Sequence, residues 1–195
     1  LADLVLVTHP HRDHLDARAI AACRKPGAPV VASPAAAAKL SKKKVETISL
    51  WEGESTSVGG IQVTALPGYN GLHPRALKFN VGFRFNLGGA TIYHSGDTDA
   101  VPEMGEAGPV DVAFLPIGGS FVMNEEEAAR AVFMVRPGAV VPMHYGYVTH
   151  GDPGHFARTV GPATQVVVLD PVLSSRVPAP VRRLAKLMAR GRRRW

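Results

Sequence analysis

Apolar residues in this chain come in short runs separated by polar, Gly- and Pro-containing segments, the spacing of alternating strands and helices. The run Leu4-Val5-Leu6-Val7 predicts a buried strand over 3–8, followed by a helix over about 15–24 that starts near Leu15 or Asp16. A short strand is expected over 29–32. Ser33 then serves as N-cap, with Pro34 at the first position of a helix running to Leu40. From 45 to 66 the pattern becomes β, broken at Glu52-Gly53 and Gly59-Gly60, and a hairpin over 79–87 and 90–94 turns at Gly88-Gly89. Residues 110–116 read as a buried strand. Asn124 with Glu127 resembles a capping box that opens a helix ending before Pro137-Gly138, and the last strands are expected over 139–144 and 165–170. Early hairpins followed by strand–helix alternation fit two facing sheets with helices outside.

Composition changes this picture little. At 195 residues and 46% hydrophobic content the chain suffices for one sizeable core. The expected division is a domain over 1–175 and a basic tail over 176–195. Charge supports that division. Of 22 Lys and Arg against 16 Asp and Glu, seven basic residues lie between Arg182 and Trp195 with no acid, so residues 1–181 carry 15 basic and 16 acidic groups, net −1. The tail is expected to be a solvated terminus with at most weak contact to anionic surfaces. No apolar run approaches the roughly 20 residues of a membrane span, and the expected location is the cytoplasm. The lone Cys23 has no internal disulfide partner and reads as a small buried thiol.

Chemistry concentrates in His9-Pro10-His11-Arg12-Asp13-His14. In an extended segment His9 and His11 point to the same side, and Asp13 and His14 follow where the chain bends toward the helix. Two ligand pairs leaving one strand end at different angles suit two adjacent metal ions. Imidazole and carboxylate at this density match zinc foremost, with manganese and iron as the other candidates. The competing reading is a polar strand-to-helix loop in which Asp13 caps the helix.

The hexapeptide resembles the signature of the metallo-β-lactamase superfamily, and the resemblance spans roughly residues 3–170. Pro67-Gly68-Tyr69-Asn70, Leu115-Pro116-Ile117-Gly118-Gly119 and Met143-His144-Tyr145-Gly146 are most similar to the branch containing the ascorbate-6-phosphate lactonase. The implied fold is an α/β, four-layer αββα sandwich. In that family a few dozen residues of strand precede the motif, so the resemblance implies a fold lacking its N-terminal strands, with an exposed sheet edge. The later ligands implied are His73, Asp97 and His144. By residue type alone Asp97 also reads as a turn former, and His94, three positions before it, rivals His73 as the third histidine ligand. His150 and His155 read as either substrate contacts or exposed residues.

The implied centre holds two divalent ions, one on His9, His11 and His73 and the other on Asp13, His14 and His144, with Asp97 bridging. A metal-bound hydroxide, oriented by Asp13, would attack a small ester, lactone or phosphorylated substrate. Tyr69, Asn70 and Tyr145 are the implied substrate-side donors. A phosphodiesterase or nuclease of the same superfamily is the alternative. Nucleic acid is nonetheless not an expected partner, because 195 residues leave no room for an inserted binding domain and no aromatics interleave with the basic tail. A truncated metal-binding relic without turnover is the non-enzymatic alternative. The expected partner is a small molecule, and self-association stays open.

Overall fold

Residues alternating between two buried faces build the centre of the molecule, whose computed structural model describes residues 1–146 and 149–169. Strands β1 (Val5–Val7), β2 (Val30–Ala32) and β3 (Ile48–Ser49) form a parallel sheet in that order. Strands β4 (Ser55–Val58), β5 (Ile61–Pro67), β6 (Val81–Leu87), β7 (Ala90–His94), β8 (Val110–Pro116), β9 (Pro137–Met143) and β10 (Gln165–Val166) form a seven-stranded sheet, ordered β10-β9-β8-β7-β6-β5-β4. Its β4–β7 half is an antiparallel meander, and from β7 to β10 neighbouring strands are parallel.

Period-2 side-chain alternation produces the layers. Val5, Val7, Val30 and Ala32 pack with Ile20 and Leu40 of helices α1 (Ala17–Cys23) and α2 (Pro34–Ser41). Their neighbours Leu4, Leu6 and Val31 cluster instead with Val63, Ala65, Val81 and Phe83 of the large sheet. The far face of that sheet, including Tyr93, Ala113, Leu115 and Val140, packs on Val132, Val135 and Phe156 from helices α3 (Glu125–Val135) and α4 (Pro153–Val160). Helix, sheet, sheet and helix therefore stack as the expected αββα sandwich.

The caps form as read. Ser33 Oγ accepts from Ala36 N–H at 3.3 Å. Asn124 and Glu127 close a reciprocal capping box, with bonds of 2.9 and 2.8 Å. Helix α1 is capped by Asp16, whose Oδ1 accepts from Arg18 N–H at 2.8 Å and Ala19 N–H at 3.3 Å. Asp13 is thus spared the capping role. Strand β9 begins two residues before the expected 139, because Arg136 ends α3 in a left-handed conformation and Pro137 starts the strand at once. Helix α4 forms where the apolar pattern predicts no element. Its signal is the pair Asp152-Pro153, cap and first position, partly hidden between Gly151 and Gly154. Cys23 is half-buried rather than buried.

No helix among the described residues is long and apolar enough to cross a membrane. The strand expected over 165–170 forms only at Gln165–Val166, with residues 167–169 outside it. The expected basic tail and its boundary at 176 lie outside the described residues.

Candidate metal centre

Chain direction gathers the chemistry at one edge of the sandwich. Strand β5 is antiparallel to β6 and β6 to β7, so β5, β7, β8 and β9 all run the same way. Their carboxyl ends release the loops carrying His73, Asp97, Ile117 and His144, as open α/β sheets do at their binding edge. The small sheet joins that edge: Val81 N–H donates to Thr8 O at 3.1 Å, just before His9. Gly96 permits the closest approach. It has φ +65°, and a Cβ there would lie 2.7 Å from Asn80 Oδ1 and 3.1 Å from Thr8 Cβ. Any larger residue would push the Asp97 turn away from His9.

His9, His11 and His73 bring ligand atoms within 4.8 Å of one another, as do Asp13, His14 and His144, and also His9, His14 and Asp97. Asp97 Oδ2 lies at the centre, 3.1 Å from His144 Nε2, 3.4 Å from His14 Nε2 and 3.7 Å from His9 Nε2. His14 Nε2 is also 3.5 Å from Asp13 Oδ2, and His73 Nε2 is 3.1 Å from His11 Nδ1. All seven residues singled out as ligands therefore meet at one place. His94 does not join these clusters. Its Nδ1 accepts from Gly96 N–H at 3.1 Å and its ring stacks on Phe114, so it braces the turn before Asp97.

The donor set fits a divalent cation on its own chemistry. His9 Nε2, His73 Nδ1, Asp97 Oδ1 and His144 Nδ1 are buried without a hydrogen-bond partner among the described residues. Uncompensated burial of polar atoms is costly, and such clusters mark function rather than stability. His9 Nδ1 is meanwhile held 3.0 Å from Thr8 Oγ1. With Nδ1–H as the donor, the lone pair sits on Nε2, facing Asp97. Burial pushes His9 down to about 2 and His73 down to about 4, which keeps both imidazoles neutral, as ligation requires. His144 moves the other way: burial lowers it, but the Asp97 carboxylate outweighs burial and raises it. Burial would raise Asp97, yet its contacts with His144 and His14 hold it below the usual carboxylate range. A hydrogen bond to His14 similarly holds Asp13 low.

The cluster opens into a cavity of about 510 Å³, lined by His11, Asp13, His14, Leu72, His73, His94, Asp97, Phe121, Met143, His144, Tyr145 and Thr149. Tyr69 and Asn70, expected as substrate-side donors, are occupied structurally. Tyr69 Oη donates to Glu103 at 3.0 Å, and Arg75 pairs with Glu103 and Glu52 at 2.8 Å each. Asn70 Oδ1 accepts from Leu72 N–H and His73 N–H at 2.9 and 2.8 Å. Both residues pin the loop that presents His73. Tyr145 does line the cavity, whereas His155 pairs with Glu126 at 2.7 Å on the surface and His150 is exposed. Residue patterns missed Thr8, whose signal is a hydroxyl directly before a ligand histidine. They also missed Leu72 and Phe121, which no local pattern marks.

Residues 1–144 match the family model of the beta-lactamase superfamily domain. The chain is 41% identical over 182 residues to a UPF0173 metal-dependent hydrolase of Thermococcus kodakarensis, covering 87% of this chain and 80% of that protein. A UPF0173 metal-dependent hydrolase of Pyrococcus horikoshii is 42% identical over 182 residues, covering 87% and 79%. Among solved structures, the metallo hydrolase Igni18 of Ignicoccus hospitalis is 30% identical with a TM-score of 0.75, covering 87% of this chain and 77% of that one.

Proposed function

The chain belongs to the beta-lactamase superfamily as a metal-dependent hydrolase of the UPF0173 family, and from that premise we propose that it cleaves a small ester, lactone or phosphorylated substrate at a two-metal centre. One observation carries this reading: three imidazole Nε2 atoms converge on Asp97 Oδ2, with a ligand triad on either side. His9, His11 and His73 would hold one ion, Asp13, His14 and His144 the other, and Asp97 both. Zinc suits the donors best, with manganese or iron as substitutes. Bound there, divalent ions supply Lewis acidity and lower the pKa of a water toward neutrality.

The protein's own residues do the remaining work. Asp97 brings negative charge between two cation sites that would otherwise repel. Asp13, held ionised, accepts a hydrogen bond from the attacking water and so orients it. Thr8 and His94 fix the His9 ring and the Asp97 turn. Similarity of 67–70, 115–119 and 143–146 to the lactonase-containing branch supports esters and lactones among the substrates.

The test is metal content together with turnover. Protein reconstituted with zinc or manganese and dialysed should retain close to two ions per chain, and His11→Ala should lose most of one. Generic esters, lactones, phosphomonoesters and phosphodiesters then report the reaction class. A chain that stays metal-free removes the site assignment, and one that binds two ions but turns nothing over removes the hydrolase mechanism.

A further inference from the structure

Among the described residues, five besides glycine have positive φ: Lys44, Lys78, Phe121, Arg136 and His144. Lys78 and Arg136 cap helical ends, and Lys44 closes the turn after α2, its N–H donating to Ser41 O at 2.9 Å. Such positions commonly end helices in the left-handed region. Phe121, at +68°, and His144, at +58°, have no capping role, and both line the catalytic cavity. A left-handed backbone at a bulky residue is strained and persists only where surrounding contacts impose it. For His144 the imposed result is its ligand position. For Phe121 it needs another explanation.

The contacts that hold Phe121 are specific. Its carbonyl accepts from Asn70 Nδ2 at 2.8 Å. The same amide, through Oδ1, accepts from Leu72 N–H and His73 N–H, and through Nδ2 it lies 3.4 Å from Asp97 O. One side chain thus ties the Leu72–His73 loop, the Asp97 turn and the Phe121 loop together. The arrangement leaves Phe121 59% exposed and Leu72 53% exposed, yet both are cavity walls. With Met143 and Tyr145 they give the cavity an apolar outer wall beside a polar, ligand-bearing floor. Strain spent on presenting an aromatic ring to solvent at a reaction site indicates that something apolar covers it there.

We propose that Leu72 and Phe121 form an apolar lip that selects substrates carrying an alkyl or acyl chain next to the scissile carbonyl, so that the substrate class is an ester or lactone with an apolar body. This rests on the hydrolase reading and narrows it. Leu72 and Phe121 are specificity residues: they cover the chain, while the ligand cluster meets the carbonyl.

The experiment uses the full zinc-reconstituted chain and two parallel series. Calorimetric binding of acetate, butyrate and hexanoate measures the lip alone, and hydrolysis of p-nitrophenyl acetate, butyrate and hexanoate measures the reaction. Covering even two of the four added methylenes corresponds to about tenfold tighter binding, so hexanoate should bind at least about tenfold tighter than acetate. Leu72→Ala and Phe121→Ala should each reduce that ratio to below about threefold. Phe121→Gly, suited to the left-handed backbone, removes the ring without a folding penalty and should behave as Phe121→Ala does. A flat binding series in the unaltered protein overturns the proposal, as does a preference that survives both the Phe121→Gly and Leu72→Ala changes. If hexanoate binds selectively but no ester is cleaved, the lip stands and the ester reading falls. If esters are cleaved with no dependence on chain length, the reverse holds.

Discussion

Asp97 and Thr8 show how single side chains acquire their roles from their neighbours. A carboxylate in a Gly-Asp-Thr turn is ordinarily a turn former, but here Asp97 is buried with three imidazoles against one oxygen. Asp97→Asn keeps size and most turn-forming ability while removing the charge. Under the two-metal reading the variant folds, holds at least one ion weakly and loses two or more orders of magnitude in turnover, about 2.7 kcal/mol or more. Metal content and rate on this one variant decide the matter, because two tightly held ions with a near-normal rate would leave Asp97 as a turn residue only. Thr8→Val is subtler. It preserves shape on a buried position and removes the oxygen 3.0 Å from His9 Nδ1. Metal affinity should fall about 10- to 100-fold through loss of ring orientation, read by competition with a chelator, and Thr8→Ser should restore most of it.

At the scale of elements, helix and strand ends decide where the ligands point. Asp16 caps α1 and frees Asp13. Thr149 Oγ1 donates to His144 O at 2.5 Å, steadying this proposed ligand directly after β9. Neither residue of the α3 capping box belongs to the ligand clusters, so the box separates stability from chemistry. Asn124→Ala should lower unfolding free energy by about 1 kcal/mol, seen as a shifted denaturant midpoint at unchanged slope. Metal content and turnover should stay within twofold of the unaltered protein. A large drop in metal binding would mean that α3 positions the site, contrary to the layout in which the strand ends and the α1 cap do so.

Across the whole molecule, the burial that prepares the ligands also makes folding sensitive to acid. His9 and His73 are held neutral down to about 2 and about 4, whereas in the unfolded chain they take protons near about 6.5. Below that value the unfolded chain binds more protons, so stability rises with pH through this window and is lost as pH falls. His144, raised by Asp97, contributes fully below its unfolded value and less as pH climbs through its folded one, so it does not offset the acid loss. The metal-free protein in EDTA should therefore lose stability from about pH 6.5 toward pH 4, by up to about 1.4 kcal/mol per pH unit for each buried histidine. Urea midpoints at pH 7, 6 and 5 check this, and midpoints that do not move would show that these rings are not buried neutral. Asp13 and Asp97, both held low, add a further loss only below about pH 4.

What the amino-acid order determined by itself was local. His9, His11, Asp13 and His14 share one short loop, so strand geometry alone brings them close. Period-2 alternation through Leu4-Val5-Leu6-Val7 assigns each residue a face, and Ser33-Pro34 and Asn124 with Glu127 carry their caps within a single turn. Tertiary structure decided everything that depends on chain direction across the sheets. His73 reaches the cluster although it lies in an irregular loop, because β5 ends at the same edge as β1 and β7. His94, on the strand itself, is spent bracing Gly96. Asn70 and Tyr69 became struts through partners at Phe121 and Glu103, 51 and 34 residues away. The left-handed turn at Phe121 is the extreme case. Nothing in the residue type favours it, and a hydrogen bond from Asn70 in a distant loop holds it, so no reading of neighbours along the chain could have placed that ring over the cavity.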